Sequence, residues 1–432
     1  MNKESIKRGR AVLHSLFENL SKFDSFTTKK KLYIAATILI IMSAIFYTRA
    51  NSFADVDSHI PATILAQKYG YDLEGYGLSF VSAKGINDTY GNGASRILNE
   101  NIRPDSFAHY KSAIGTQGFL YAWLYQTFNL KSLKPLYMLN AIFNAFALII
   151  CAFLLGKIFG KSFCIIFFIS LFANIVTKIG GSLYFSLAFW ILPAIIVFTL
   201  YILLAKNNKI SKTMLAPLCV TYMLTVSLRA SMSYEFITSI ILFSLSPFLV
   251  SMVYAMLSGT ASNPPFLTIS LSKAFKHSLG LFVLACMGFA LTFIVHTYIR
   301  GGGDLWAGLL DIYHHDFLRR MMGGNPKDFD PAYSNSLNAN ALEVIKIYLT
   351  GNLIICNILV CFFICVIETS KNYRSFYISL ILCFAMPALS WFVLGKSHSY
   401  IHTHFCFVLW YLGFWASIFY VPLHYFYRKK IA

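Results

Sequence analysis

Apolar residues in this chain fall in long unbroken runs, without the strict alternation of half-buried strands. Runs suited to crossing about 30 Å of hydrocarbon occupy 32–48, 133–155, 163–178, 184–205, 213–229, 234–257, 278–298, 351–368, 375–394 and 404–426. They predict an all-α, polytopic membrane helical bundle of about ten transmembrane helices. The runs at 163–178 and 213–229 are the short ones. Two long polar stretches, 49–112 and 299–350, interrupt the series, and the other connections are brief. Ahead of the first run, residues 1–31 carry Lys7, Arg8, Arg10 and Lys29 to Lys31, with Val12, Leu13, Leu16, Phe17, Leu20 and Phe23 at helical spacing. That pattern predicts an amphipathic leader lying on an anionic cytoplasmic leaflet, not a cleaved signal peptide.

Composition agrees: 57% of the 432 residues are hydrophobic and 12% charged, too little polar surface to cover a soluble core. The net charge of +18 would suit a nucleic-acid partner, but its distribution argues otherwise. With the N-terminus inside, the cytoplasmic segments hold 20 basic residues against the four acids Glu4, Glu18, Asp24 and Glu368. The outer segments hold 16 basic residues and 14 acids. The basicity is therefore a topology signal, and nucleic acid is not an expected partner. An even number of spans puts both termini in the cytoplasm of a bacterial inner membrane, with both long polar stretches outside. All nine cysteines lie inside apolar runs, so they read as small buried hydrophobes, not a disulfide or metal framework.

Candidate chemistry collects in the outer segments. Directly after the first run come Asp55, Asp57 and His59, two carboxylates and an imidazole within five residues. Such a group can supply a general base and its orienting partner or a metal ligand. Helix capping is the competing reading, since Asp and Ser favour N-caps and Pro61 suits a first turn. Tyr69, Tyr71, Tyr76 and Tyr90 follow among glycines, suiting either sugar stacking or a loop in the headgroup layer. Gln117-Gly118-Phe119 then opens a stretch to Phe128 that predicts a half-buried interfacial helix.

Arg229 and Glu235 lie between two apolar runs, placed either to pair with each other or to let Arg229 bind a lipid phosphate. The densest group is Lys396, His398, Tyr400, His402 and His404 before the last run. His398 and His402, four apart, share a helical face. Phosphate binding by Lys396, His398 and His402 is the leading reading, with metal ligation and interfacial packing as alternatives. The Gly301-Gly302-Gly303-Asp304 run predicts a hinge at a helix end, because no strand precedes it as a phosphate cradle requires. Downstream, Tyr313, His314, His315, Asp316, Arg319 and Arg320 sit on a predicted amphipathic helix, ended by Gly323-Gly324-Asn325-Pro326 and followed by Asp328 and Asp330. This segment is placed either to cover a site or to form a solvated loop.

An Asp motif after the first helix, a long outer loop with interfacial helices, and Gln117-Gly118-Phe119-Leu120 before the next span together resemble the membrane-embedded C-type (GT-C) glycosyltransferase superfamily. The likeness is one of layout and runs over roughly 32–205. It implies a sugar moved from a polyprenyl-phosphate donor to a cell-envelope glycan or lipid acceptor outside the membrane, with inversion. It further implies Asp55 or Asp57 as the catalytic carboxylate. His59, Gln117, Arg229, Glu235, Lys396, His398, Tyr400 and His402 are the expected substrate-binding residues. No nucleotide-binding pattern occurs, no cofactor is expected, and a divalent metal is left open. The alternatives are an O-antigen polymerase or ligase, or a flippase-type transporter. A transporter needs charges near the bilayer midplane, whereas here the span centres are nearly free of them.

Overall fold

The structure is a computed structural model that describes residues 28–86, 92–206, 210–259, 264–322, 339–350 and 352–431. The predicted leader up to residue 27, and the Gly323 to Pro331 breaker and loop, lie outside the described residues.

The molecule is a bundle of apolar helices, as a multi-pass membrane protein requires. Among the described residues six helices are long and apolar enough to cross a membrane: Lys134–Phe159, Ala188–Lys206, Lys212–Met232, Ile237–Ser258, Leu271–Arg300 and Lys371–Leu394. The number rises to nine if each of three bent helix pairs is one span, and Leu32–Thr48 is a shorter apolar helix beside them. In lipid every backbone polar group must be satisfied within the segment, which is why these runs become helices. Pro193, Pro217, Pro247 and Pro387 sit inside four of the long helices, where packed neighbours make a kink tolerable.

Two of the expected straight spans are broken. The run at 163–178 becomes Lys161–Ser170 and Asn174–Gly181, bent by 73°. The last run becomes Thr403–Tyr411 followed by a helix bent 44° away from it. Gly413 stands at that break with φ +95, in the left-handed region. A Cβ there would fall 2.1 Å from the Phe384 ring, so the break also lets two helices approach closely.

Ile237–Ser258 lies at the centre, packed against Lys371–Leu394, Ala188–Lys206 and Leu271–Arg300. Lys134–Phe159 joins the first helix, Thr28–Thr48, to Ala188–Lys206. Phe159, Phe163, Phe376, Phe384 and Tyr420 interlock in the core. Running the chain up and down through these helices puts 49–86, 92–133, 182–187, 233–236, 301–322, 339–350 and 395–413 at one end. Lys157, Lys206, Lys212, Lys276, Lys371 and Arg428 gather at the other. There the buried Glu368 carboxylate pairs with Arg428, whose guanidinium also lies 3.8 Å from the Tyr373 ring centroid.

The first long loop is folded. Helices Ala54–Asp57, His59–Lys68, Gly93–Asn99 and Thr116–Thr127 surround an antiparallel ribbon, Ser79–Ser82 with Ser106–His109, in which Phe80 faces Ala108. The ribbon departs from a purely helical expectation and satisfies the backbone of a stretch too polar to form a span. Thr116–Thr127 is the expected half-buried helix: Gln117, Tyr121 and Ala122 are buried while Trp123 is 58% exposed. Its approach is close, because a Cβ on Gly118 would fall 1.5 Å from the Gly77 carbonyl oxygen.

Candidate functional site

The four-residue turn Ala54–Asp57 directs its two carboxylates differently, since residues two apart on a helix point about 200° apart. Asp57 is buried at 1% exposure and accepts hydrogen bonds from Ser182 Oγ (2.6 Å) and the Tyr184 N–H (2.9 Å). Its Oδ2 has no partner among the described residues. Burial pushes its pKa up to about 7, against the downward pull of the Ser182 and Tyr184 hydrogen bonds. Asp55 is exposed, and its charge is felt at His59 and His404. Neither carboxylate caps a helix. Ser58 Oγ turns back to the Asp55 carbonyl, and the helix His59–Lys68 starts without a side-chain cap. The capping reading of this motif is thereby corrected: Asp57 ties the end of the first helix to the turn at 182–184, and Asp55 stays open.

His59 is buried, with Nδ1 3.1 Å from the Ser79 carbonyl oxygen. Its ring packs on Phe80 and Tyr110 at centroid distances of 4.6 and 4.7 Å. Burial lowers its pKa, outweighing the Ser79 carbonyl. Gln117 is buried and donates from Nε2 to the Tyr184 carbonyl at 3.2 Å. Tyr184 therefore collects both Asp57 and Gln117 on its main chain, and its hydroxyl lies 3.4 Å from that of Tyr110.

The connection between Lys212–Met232 and Ile237–Ser258 is the second strand of the site. Arg229 is 2% exposed, lies over the Trp190 ring at 5.4 Å, and donates to the main-chain oxygens of Ser233 (3.0 Å) and Glu235 (2.8 Å). The expected Arg229–Glu235 ion pair is corrected: the guanidinium bonds the main chain of the turn and not the carboxylate. Burial forces the guanidinium to satisfy itself on the turn it closes. The turn ends at Phe236 in the left-handed region, φ +62, a strained conformation for a phenylalanine. So shaped, it aims the buried Glu235 carboxylate at His398, whose Nε2 lies 3.3 Å from Oε1. With a carboxylate facing Nε2, that nitrogen carries the proton, and Nδ1 faces Cys406 Sγ at 3.7 Å.

Burial would raise the Glu235 pKa. The hydrogen bond and charge of His398, then Arg320 and His402, outweigh it and hold the carboxylate at about 2. His402 stacks on Phe405, 4.8 Å between centroids, and burial with neighbouring His398 pulls its pKa down to about 3. His398 and His402 do meet, 4.7 Å apart, though the helix Lys396–Ile401 ends between them. Lys396 and Tyr400 are half-buried on that same helix. Among the described residues no three His, Cys, Asp or Glu side chains are arranged to share a metal ion.

The segment after Leu271–Arg300 covers this end. The three-glycine run is a turn, as expected of a hinge, and Asp304 caps Leu305–Ile312 through the amides of Trp306 and Ala307. A π-helical turn, Tyr313–Phe317, leads into Leu318–Met322, which packs on Lys396–Ile401. Buried Asp316 holds Arg320 (3.1 Å) and faces Arg300 (3.6 Å), and Arg300 also reaches Asp311. Arg319 is exposed, with its charge felt at Tyr110, His398 and His402. Tyr110, Tyr184, Arg319 and Arg320 belong to this constellation but were not among the sequence candidates for substrate binding. Tyr184 hides at the edge of an apolar run, whereas the adjacent arginines were visible as an amphipathic face.

No protein-family model matches the chain, and no curated protein or solved structure compared with it matches either.

Proposed function

We propose that the chain is an inverting glycosyltransferase of C-type architecture. It moves a sugar from a polyprenyl-phosphate donor to a cell-envelope glycan or lipid acceptor at the outer face of a bacterial inner membrane. In this reading ten spans put both termini in the cytoplasm, where the basic end of the bundle belongs. The observation that carries the proposal is the gathering of one open carboxylate, Asp55, with His59 and His404, at the bundle end that also holds Arg319, Lys396 and His402.

Those groups suit the two charge changes of glycosyl transfer. Asp55 takes the proton of the acceptor hydroxyl as its oxygen bonds to the anomeric carbon. The bond from that carbon to the donor phosphate breaks on the opposite side, and the electron pair leaves on the phosphate. Attack opposite the departing group inverts the centre. Arg319 and Lys396 supply positive charge to the departing phosphate, with His402 beside them. Asp57 acts by positioning, through Ser182 and Tyr184. No nucleotide is needed.

The test is sugar transfer from extracted polyprenyl-phosphate sugars in membranes holding wild type, Asp55→Asn or Asp57→Asn at matched expression. Loss of a general base removes roughly 10²–10⁴-fold of rate, so Asp55→Asn is expected to fall by that much while Asp57→Asn keeps measurable transfer. Full activity in Asp55→Asn sinks the assignment of the base, and no transfer by wild type sinks the class.

A further inference from the structure

Glu235 is the charge around which the site is built. Its field reaches His59, Tyr110, Tyr184, Arg320, His398 and His402, which come from five separate parts of the chain. It is 7% exposed, and only one of its two oxygens is used: Oε1 meets His398, while Oε2 has no partner among the described residues. A buried anionic oxygen left unpaired costs more than a neutral one, so such a group persists where a ligand supplies the missing donor. Proton abstraction is the wrong use for it, because a carboxylate held at about 2 is a weak base at neutral pH. It is a good acceptor from neutral hydroxyls. Half-buried Tyr110 and His402, both of which feel its charge, carry aromatic rings of the kind on which a sugar packs.

We infer that Glu235, oriented by His398, is a saccharide-recognition subsite whose free Oε2 accepts hydrogen bonds from the hydroxyls of a pyranose ring. The inference rests on the transferase reading and deepens it, assigning Glu235 to specificity and leaving proton transfer to Asp55. Arg229 makes the assignment testable. Because it holds the 233–235 turn through main-chain oxygens, Glu235→Gln leaves the turn intact and removes only the charge and half of the acceptor capacity.

The experiment uses the full chain in lipid nanodiscs and follows tryptophan fluorescence, to which Trp391 contributes at 5.6 Å from the His398 ring. Three probes are titrated: a short-chain prenyl-phosphate monosaccharide, the same prenyl phosphate without sugar, and a methyl glycoside panel. Losing a charge-assisted hydrogen bond is expected to weaken sugar binding roughly tenfold to a hundredfold in Glu235→Gln. Binding of the sugarless prenyl phosphate should stay at wild-type strength. His398→Leu, which keeps the carboxylate but not its orienting N–H, should show the same selectivity with a smaller loss. A loss confined to the prenyl-phosphate sugar locates the subsite on the donor, and one confined to the glycosides locates it on the acceptor. Equal weakening of sugar-bearing and sugarless prenyl phosphate, or no weakening, overturns the inference while the transferase reading stands. If wild type binds no sugar-bearing probe, the transferase reading fails first.

Discussion

Asp55 and Asp57 differ by two positions and by almost everything chemical. Asp57 spends its carboxylate on Ser182 and Tyr184 in a dry setting, and the result is a titration that stability must follow. Its pKa rises from 3.8 to about 7 on folding, so the folded state holds its proton more tightly. The stabilising contribution is therefore complete below 3.8 and is lost as pH rises through about 7. His402 runs the other way: its folded pKa of about 3 lies below the ordinary 6.5, so its contribution is lost as pH falls. The wild-type curve sums both, and the difference between wild type and Asp57→Asn isolates the first. Across pH 4 to 8 the thermal midpoint of wild type should decline relative to Asp57→Asn, whose amide oxygen still accepts both hydrogen bonds. A constant difference across that range would show that Asp57 does not titrate there.

At the scale of elements, the site depends on how closely the folded outer loop packs upon itself. Thr116–Thr127 crosses the chain at Gly77 with no room for a methyl group on Gly118. Gly118→Ala must push that helix away from Gly77, costing on the order of 3 kcal/mol or more, and Gln117 would move off the Tyr184 carbonyl with it. The expected result is a lower thermal midpoint together with lost transfer, whereas Gly280→Ala, inside Leu271–Arg300 where a Cβ would meet nothing within 4 Å, should lower neither. The covering segment uses other means. Arg300, Asp311, Asp316 and Arg320 form one ionic network, which ties the turn at 313–317 to the end of Leu271–Arg300.

For the whole molecule the decisive feature is the opposition of its two ends. One carries the folded loop, the covering segment and the Glu235–His398 pair, and the other carries Lys157, Lys206, Lys212, Lys276, Lys371 and the Glu368–Arg428 pair. If the basic end is cytoplasmic, a cysteine replacing exposed Lys84 in the first loop should react with a membrane-impermeant maleimide on intact spheroplasts. One replacing exposed Lys276 should react only after permeabilisation. Reaction of the Lys276 variant on intact spheroplasts would invert the topology and remove the outer-face reading.

The sequence by itself determined the membrane class, the position of most spans and the neighbourhoods where polar chemistry collects. Each of these depends on local composition: hydrophobicity is additive along a run, and a helix is the default for an apolar segment in lipid. Asp55, Asp57, His59, Gln117, Glu235, His398 and His402 could be picked out for that reason, as polar residues beside apolar ends. Tertiary structure decided what each one touches. Whether Arg229 meets a carboxylate or a carbonyl, and which Asp is open, depends on side-chain direction and on partners far along the chain. Ser182 lies 125 residues from Asp57, and His398 lies 163 from Glu235. The breaks at 170–174 and at Gly413 were equally hidden, because they exist to let neighbouring helices approach, and no single run of sequence records its neighbour.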